Sequence, residues 1–283
     1  MRKSLLALFT ILIISACSQK DYLVTFHTQY GDMKAVLYDV TPKHKENFIK
    51  LAQEGAYDST TFHRIIKEFM IQGGDVNAKA ADNPIDYTIE AEFVDTLIHR
   101  KGAIAAARQG DQVNPTKASS GSQFYIVQGK KFTEEELSAL MQNRKMGHTQ
   151  MMFRQLLNKP KYQGLRDQVI TLQREGNFAA IQELIEDNQP LMEEEFGPQP
   201  NFDLTQQQIK AYTNGEGVPH LDRDYTVFGQ VVEGLHVIDS IASVKTGAMD
   251  KPVTDVYMTV EVEEVPVKQL SKKYGLVYPK KKD

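Results

Sequence analysis

The feature that most narrows the fold of this chain is the brevity of its apolar runs. Between Tyr22 and Pro266 they are short, rich in β-branched and aromatic side chains, and cut off by glycine, proline or small polar clusters. They read as strands at 22–28 (YLVTFHT), 33–38 (MKAVLY), 60–76 (TTFHRIIKEFMIQGGDV), 103–107 (AIAAA), 122–127 (SQFYIV), 226–232 (TVFGQVV) and 253–262 (PVTDVYMTVE). Gly31-Asp32 between the first two reads as a hairpin turn. Many short strands favour an enclosed barrel, which leaves no long open edge. Thr41-Pro42 opens a helix, with Thr as N-cap and Pro at the first helical position. Phe48, Leu51 and Ala52 follow at helical spacing, and Gly55 ends it. A second short helix covers 234–242.

The texture changes between Phe132 and Asn214. Thr133-Glu134-Glu135-Glu136 is a capping box, followed by Leu137, Leu140 and Met141. Met151, Met152, Phe153, Leu156 and Leu157 follow, then Leu165, Val169 and Leu172. Asn177 precedes Phe178, Ile181, Leu184 and Ile185 at helical spacing, and Thr205 is placed to cap a last helix carrying Ile209. We read 133–213 as an α-helical insertion of 81 residues, with 12 Asp/Glu against 8 Lys/Arg. Its apolar stripes are expected to form a small core packed on the main domain. A sharper reading makes Met141, Met146, Met151 and Met152 a groove for partner chains. The basic tail 266–283, with six lysines, is expected to be solvated.

Composition excludes several classes. The 283 residues carry a net charge of −4, without the basic excess of a nucleic-acid binder. One cysteine permits neither an internal disulfide nor a Cys-rich zinc module. The seven histidines lack the close pairing of a metal site, and Gly129-Lys130 lacks the preceding glycine of a phosphate loop. Met1-Arg2-Lys3 and the uncharged stretch Leu5–Ala16 form a secretory signal; the stretch is far short of the ~20 apolar residues of a spanning helix. Its end, Ile14-Ser15-Ala16-Cys17, resembles the bacterial lipobox. That resemblance implies cleavage after residue 16, lipid on Cys17, and a lipid anchor and linker over 17–20. It also implies a lipoprotein of the bacterial cell envelope facing the periplasm. Three acyl chains exceed the two signals that stable anchoring takes.

The window Phe62–Asp75 (FHRIIKEFMIQGGD) carries the chemistry. Strand alternation puts Phe62, Arg64 and Ile66 on one face and His63 and Ile65 on the other. After a turn at Lys67-Glu68, Phe69 and Met70 set an aromatic ring and a thioether near a lone cation. Gln72 can hold a guanidinium through its carbonyl oxygen. This makes an apolar pocket with one fork of donors and no nucleophile–base pair beside it.

The window resembles the signature of the cyclophilin-type peptidyl-prolyl cis-trans isomerases. Gly121-Ser122-Gln123-Phe124-Tyr125-Ile126 is similar to their second signature and Leu221–Gly229 (LDRDYTVFG) to the third. The resemblance runs from about Asp21 to Pro266, with the helical run inserted between the second and third signatures. It implies a mainly β fold, a cyclophilin-like closed antiparallel β-barrel with two capping helices, over 21–265. It implies acceleration of X-Pro bond rotation in secreted or envelope proteins during folding. Arg64 matches the catalytic arginine, and Gln72 the residue that orients it. Phe69, Met70, Tyr125 and Leu221 match walls of the proline pocket. Ala107, Arg108 and Gln123 match the groove that pairs with the substrate backbone. Lys67-Glu68 stands where Pro-Gly is usual, Arg108 where Asn is common, and Tyr225 where many members have His. His220 stands where some have Trp, which implies weak cyclosporin binding. The reaction transfers no proton and asks for no cofactor or metal; the partners implied are unfolded or partly folded polypeptides containing proline. A second reading, from the insertion, is an envelope chaperone or assembly factor that binds clients through 133–213.

Overall fold

The computed structural model describes residues 19–79 and 84–276. The signal-like start and Cys17 lie outside the described residues. The strands are β1 (Lys20–Thr28), β2 (Gly31–Leu37), β3 (Thr60–Thr61), β4 (Arg64–Ile66), β5 (Met70–Gly73), β6 (Thr88–Ile89), β7 (Ala103–Ala106), β8 (Ser119–Ser120), β9 (Phe124–Val127), β10 (Val227–Glu233) and β11 (Tyr257–Pro266). β6 and β8 pair with each other; the other nine form one antiparallel sheet in the order β3-β11-β1-β2-β10-β7-β9-β5-β4. The two terminal strands are separated in sequence only by Phe62-His63, so the sheet curls until its ends meet through the chain itself. Phe62 N–H donates to Val256 O at 2.8 Å across that joint.

β7 and β9 are buried at every position, which explains their unbroken apolar sequences. Alternation divides their side chains between two cores. On the inner face, Ile65, Ile71, Ile104 and Ile126 join Phe26, Phe48, Tyr57, Phe62, Phe124 and Phe228. On the outer face, Met70, Ala103, Ala105, Tyr125, Val127 and Val227 form a second cluster with Ile66, Phe69, Leu221 and Tyr225 against it. Phe62 therefore does not share a face with Arg64: the chain breaks between β3 and β4, and the ring drops into the inner core. The first hairpin reverses at Gln29-Tyr30, with Thr28 paired to Gly31, two residues before the expected Gly31-Asp32 turn.

Helices α1 (Pro42–Gln53) and α7 (Leu235–Ala242) cover the inner core with Phe48, Ile49, Leu51, Val237, Ile238 and Ile241. Thr41 occupies the α1 N-cap position, but its hydroxyl donates to Tyr38 O instead. The carboxylate of Glu92 does the capping, accepting from Lys43 N–H at 3.2 Å and His44 N–H at 3.1 Å.

Between β9 and β10 run α2 (Glu134–Asn158), α3 (Gln163–Arg174), α4 (Phe178–Asp187), α5 (Gln189–Phe196) and α6 (Gln206–Asn214). Capping boxes close the starts of α2 (Thr133 with Glu136) and α6 (Thr205 with Gln208). Met152, Phe153, Leu156, Val169, Ile185 and Met192 form a separate core within this run. The expectation of a solvated tail needs correction at its start. Residues Val267–Tyr274 form helix α8, whose Leu270 is buried on Leu23, Val36 and Val265.

The helical run leaves and rejoins the sheet at one neck. Lys130 N–H donates to Gly217 O and Gly217 N–H to Lys130 O, at 3.2 and 3.0 Å. A Cβ on Gly129 (φ +71°) would sit 2.4 Å from Gly217 Cα, and a Cβ on Gly217 would sit 2.4 Å from the Tyr212 ring. Only glycine fits either place. Gly129→Ala should therefore destabilise the fold by roughly 2–4 kcal/mol, combining left-handed strain with backbone overlap. Urea unfolding should show a lowered midpoint at unchanged slope; an unshifted midpoint would refute the neck.

Candidate active site

Sheet register gathers the polar half of the site. Arg64 is opposite Gln72 in the β4–β5 pair, Gln72 opposite Tyr125 in β5–β9, and Tyr125 opposite Ala105 in β7–β9. Directly opposed residues project on one face, so these four make a row across the outer face. The next row holds Ile66, Met70 and Val127. A cavity of about 100 Å³ lies on this row, lined by Arg64, Phe69, Met70, Gln72, Ala107, Arg108, Tyr125, Leu221 and Tyr225. That is small beside the ~300–1,000 Å³ of ordinary ligand pockets and suits one small ring.

The two remaining expected residues border it. Gln123 accepts from Gln72 Nε2 at 3.1 Å. His220 stacks on Phe69, with ring centroids 5.7 Å apart and 16° between planes. Its edge is exposed but its face is covered. Desolvation there, followed by the Arg144 charge, holds the imidazole below its ordinary 6.5.

The turn before Phe69 closes without Pro-Gly. Glu68 takes the left-handed conformation (φ +62°), its N–H donates to Gln128 Oε1 at 2.7 Å, and Phe69 N–H donates to Ile66 O at 3.2 Å. Arg108 lies under Tyr225, its guanidinium carbon 4.5 Å from the ring centroid. Its Nε donates to Asp224 O at 2.7 Å and its Nη1 to Asp111 Oδ1 at 2.6 Å, so this guanidinium is engaged and Arg64 offers the open one. Ala107 N–H donates to Gln123 O, and Ala107 O accepts from Ser120 N–H, at 2.9 and 2.8 Å. Both Ala107 backbone groups are thus paired within the chain, which leaves the backbone of Arg108 for a bound peptide.

Gln72 faces Arg64, as expected, but its amide is turned to Gln123. The guanidinium of Arg64 is held instead by Asp250, with Nε donating to Oδ2 at 3.4 Å and both side chains half-exposed. Asp250 ends a turn in which Met249 and Asp250 both have positive φ, +55° and +59°. Sequence reasoning missed it because 186 residues separate the pair. Two unusual left-handed residues leave no mark in the sequence.

A buried polar chain runs beneath the pocket. His99 is fully buried; its Nδ1 donates to Asp222 Oδ1 at 2.8 Å and its Nε2 meets the Tyr125 hydroxyl at 3.0 Å. A carboxylate only accepts, which sets the proton on Nδ1. Asp222 Oδ2 accepts from the Tyr212 hydroxyl at 2.7 Å. Burial pushes the Tyr125 hydroxyl well above the usual phenol range, so it stays protonated. Nearby, burial opposes the charge on Asp224, yet Lys117 and Arg144 hold its carboxyl below its ordinary value.

This geometry can bind a small apolar ring and present a guanidinium beside it. The family model for cyclophilin-type peptidyl-prolyl cis-trans isomerases matches residues 23–154 and 201–262, leaving α3, α4, most of α5 and the end of α2 outside the match. A protein of Staphylococcus epidermidis named as a peptidyl-prolyl cis-trans isomerase is 33% identical over 245 residues, covering 85% of this chain and 91% of its own. One of Staphylococcus aureus with the same name is 32% identical over 250 residues, covering 87% and 94%. The crystal structure of a cyclophilin-type isomerase of Cryptosporidium parvum superposes with a TM-score of 0.50 at 18% identity, covering 88% of this chain and all of that one, a likeness of fold. On the residues of its outer sheet face and on these matches together, the chain belongs to the cyclophilin-type peptidyl-prolyl cis-trans isomerase family.

Proposed function

We propose that this chain accelerates rotation about X-Pro bonds in proteins of the bacterial cell envelope, with Arg64 as its catalytic residue and Cys17 as its lipid anchor. One observation carries the catalytic part: the Arg64 guanidinium stands half-exposed at a ring-sized apolar cavity. In this reading the isomerase domain spans 21–265 and is interrupted by the helical run 133–213.

The chemistry is undemanding in reagents and strict in geometry. Amide resonance makes the X-Pro bond resist rotation with a barrier of roughly 18–20 kcal/mol. In the twisted transition state the resonance is lost and the proline nitrogen becomes a true acceptor. A guanidinium N–H can bond that nitrogen only in the twisted state, which is differential binding. Phe69, Met70, Tyr125 and Leu221 hold the ring while the preceding carbonyl turns, and they exclude water that favours the polar planar amide. Gln123 and the backbone of Arg108 take the flanking peptide, with Tyr225 and His220 closing the rim.

Three measurements test this reading. Arg64→Ala should lower kcat/KM on a short X-Pro peptide between about ten- and a hundredfold, the worth of one charge-assisted hydrogen bond, with circular dichroism unchanged. Equal rates would sink the catalytic assignment. Because no proton moves and His220 is held below 6.5, kcat/KM should stay flat from about pH 7 to about pH 9. A step in that range would point to a titrating acid or base instead. In a bacterial host the chain should fractionate with membranes and carry a lipid mass on Cys17, and Cys17→Ser should move it to the soluble fraction. An unlipidated, soluble native chain would overturn the anchor.

A further inference from the structure

The two halves of the pocket are fixed by different means. Arg64, Met70, Gln72 and Tyr125 belong to the sheet, where the ladder sets their places. Leu221 and Tyr225 belong to segment 218–225, which has a single 3-10 turn at Pro219–Leu221 and a left-handed Arg223 (φ +65°). Its local bonds, Leu221 N–H to Val218 O and Asp224 N–H to Leu221 O, shape the segment without fixing it against the sheet. Side chains from elsewhere must do that.

Two of those side chains come from the helical run. Arg144, from α2, reaches three acceptors on this one segment: Nη2 donates to Asp222 O at 3.0 Å and Asp224 Oδ2 at 2.6 Å, and Nη1 to Pro219 O at 3.5 Å. Tyr212, from α6, is fully buried and donates its hydroxyl to Asp222 Oδ2. The other oxygen of Asp222 accepts from His99 N–H and Nδ1, and so ties the segment to the strand side of the pocket. An ordinary ion pair needs only the carboxylate. Arg144 also takes two carbonyls in the same loop, and a fork of donors on three fixed acceptors sets a position as well as neutralising a charge.

We propose that Arg144 and Tyr212 are positioning residues for the proline pocket, through which α2 and α6 hold Leu221 and Tyr225 against Met70 and Tyr125. The proposal rests on the isomerase reading above and makes the helical run part of the frame of the active site. If either anchor is lost, the loop wall loosens while Arg64 stays in its ladder. Substrate then binds less well, and the chemical step on bound substrate changes less.

The experiment uses the full chain, with Arg144→Ala, Arg144→Lys and Tyr212→Phe, and measures thermal midpoint, kcat and KM on an X-Pro peptide. Arg144→Ala should raise KM about five- to tenfold with kcat within about twofold, the pattern of lost uniform binding. Arg144→Lys should recover part of this, because it restores the charge on Asp224 but not both carbonyl bonds. Tyr212→Phe keeps the ring and removes one bond, so a rise in KM of about two- to threefold is expected; it decides the matter if Arg144→Ala fails to fold. A role in stability alone lowers the active fraction, so kcat would fall at wild-type KM, and that result overturns the proposal. Wild-type chain that does not isomerise the peptide would defeat the proposed function instead. The positioning would then be decided by methyl resonances: a shifted Leu221 with an unmoved Met70 in Arg144→Ala supports it, and an unmoved Leu221 overturns it.

Discussion

The site depends on the register that sets Arg64 opposite Gln72, Gln72 opposite Tyr125, and Tyr125 opposite Ala105. Side chains alternate between the faces of a strand, so a slip of one residue would turn every member of this row inward. Arg64 would enter a core of phenylalanines, and Ile65, Ile71, Ile104 and Ile126 would come out. Burying an unpaired charge costs at least several kcal/mol, and exposing four isoleucines adds to it. The packing that stabilises the barrel and the alignment that builds the pocket are one constraint seen from two faces. This is why a polar row can persist on strands that are otherwise apolar throughout.

The opposite wall has no ladder, and a different physics replaces it. Asp222 is buried and accepts three donors, from His99 N–H, His99 Nδ1 and Tyr212, which offset its loss of hydration. Asp224 is flanked by Lys117 and Arg144, while its carbonyl takes Arg108 Nε. Two neighbouring carboxylates thus convert a loop of few local bonds into a fixed wall. The cost is a dependence on partners far away in sequence, two of them on helices outside the barrel.

That division accounts for what the sequence made legible. Periodicity, turn residues and capping signals are local, so the strands and helices were visible, including the boxes at Thr133 and Thr205. The family motifs are local too, and the structure brings Arg64, Phe69, Met70, Gln72, Tyr125, Leu221 and Tyr225 to one cavity. What stayed hidden is non-local. Glu92 capping α1, Asp250 on Arg64, and Arg144 and Tyr212 on the pocket loop each join residues that no spacing rule relates. The inward turn of Phe62 was missed for a similar reason: strand alternation was carried through a break that only closure of the sheet creates. The α8 helix escaped because a lysine-rich stretch reads as solvated, although Leu270 alone is enough to dock it.

The engagement of Arg64 bears on how much catalysis one residue can supply. Among the described residues its guanidinium is bonded only through Nε, to a half-exposed aspartate at 3.4 Å. An exposed pair of this kind is worth about 0–1 kcal/mol, enough to orient the fork without committing its terminal nitrogens. Those nitrogens remain for the proline nitrogen of the twisted peptide. Uncatalysed rotation takes ~10–100 s, and a typical turnover of ~10 s⁻¹ requires about 4 kcal/mol of barrier lowering. One charge-assisted hydrogen bond contributes about 1.5–3 kcal/mol. The remainder must come from holding the ring and excluding water, which the walls do and the arginine cannot. The residues that fix those walls therefore contribute to the rate without touching the bond that turns.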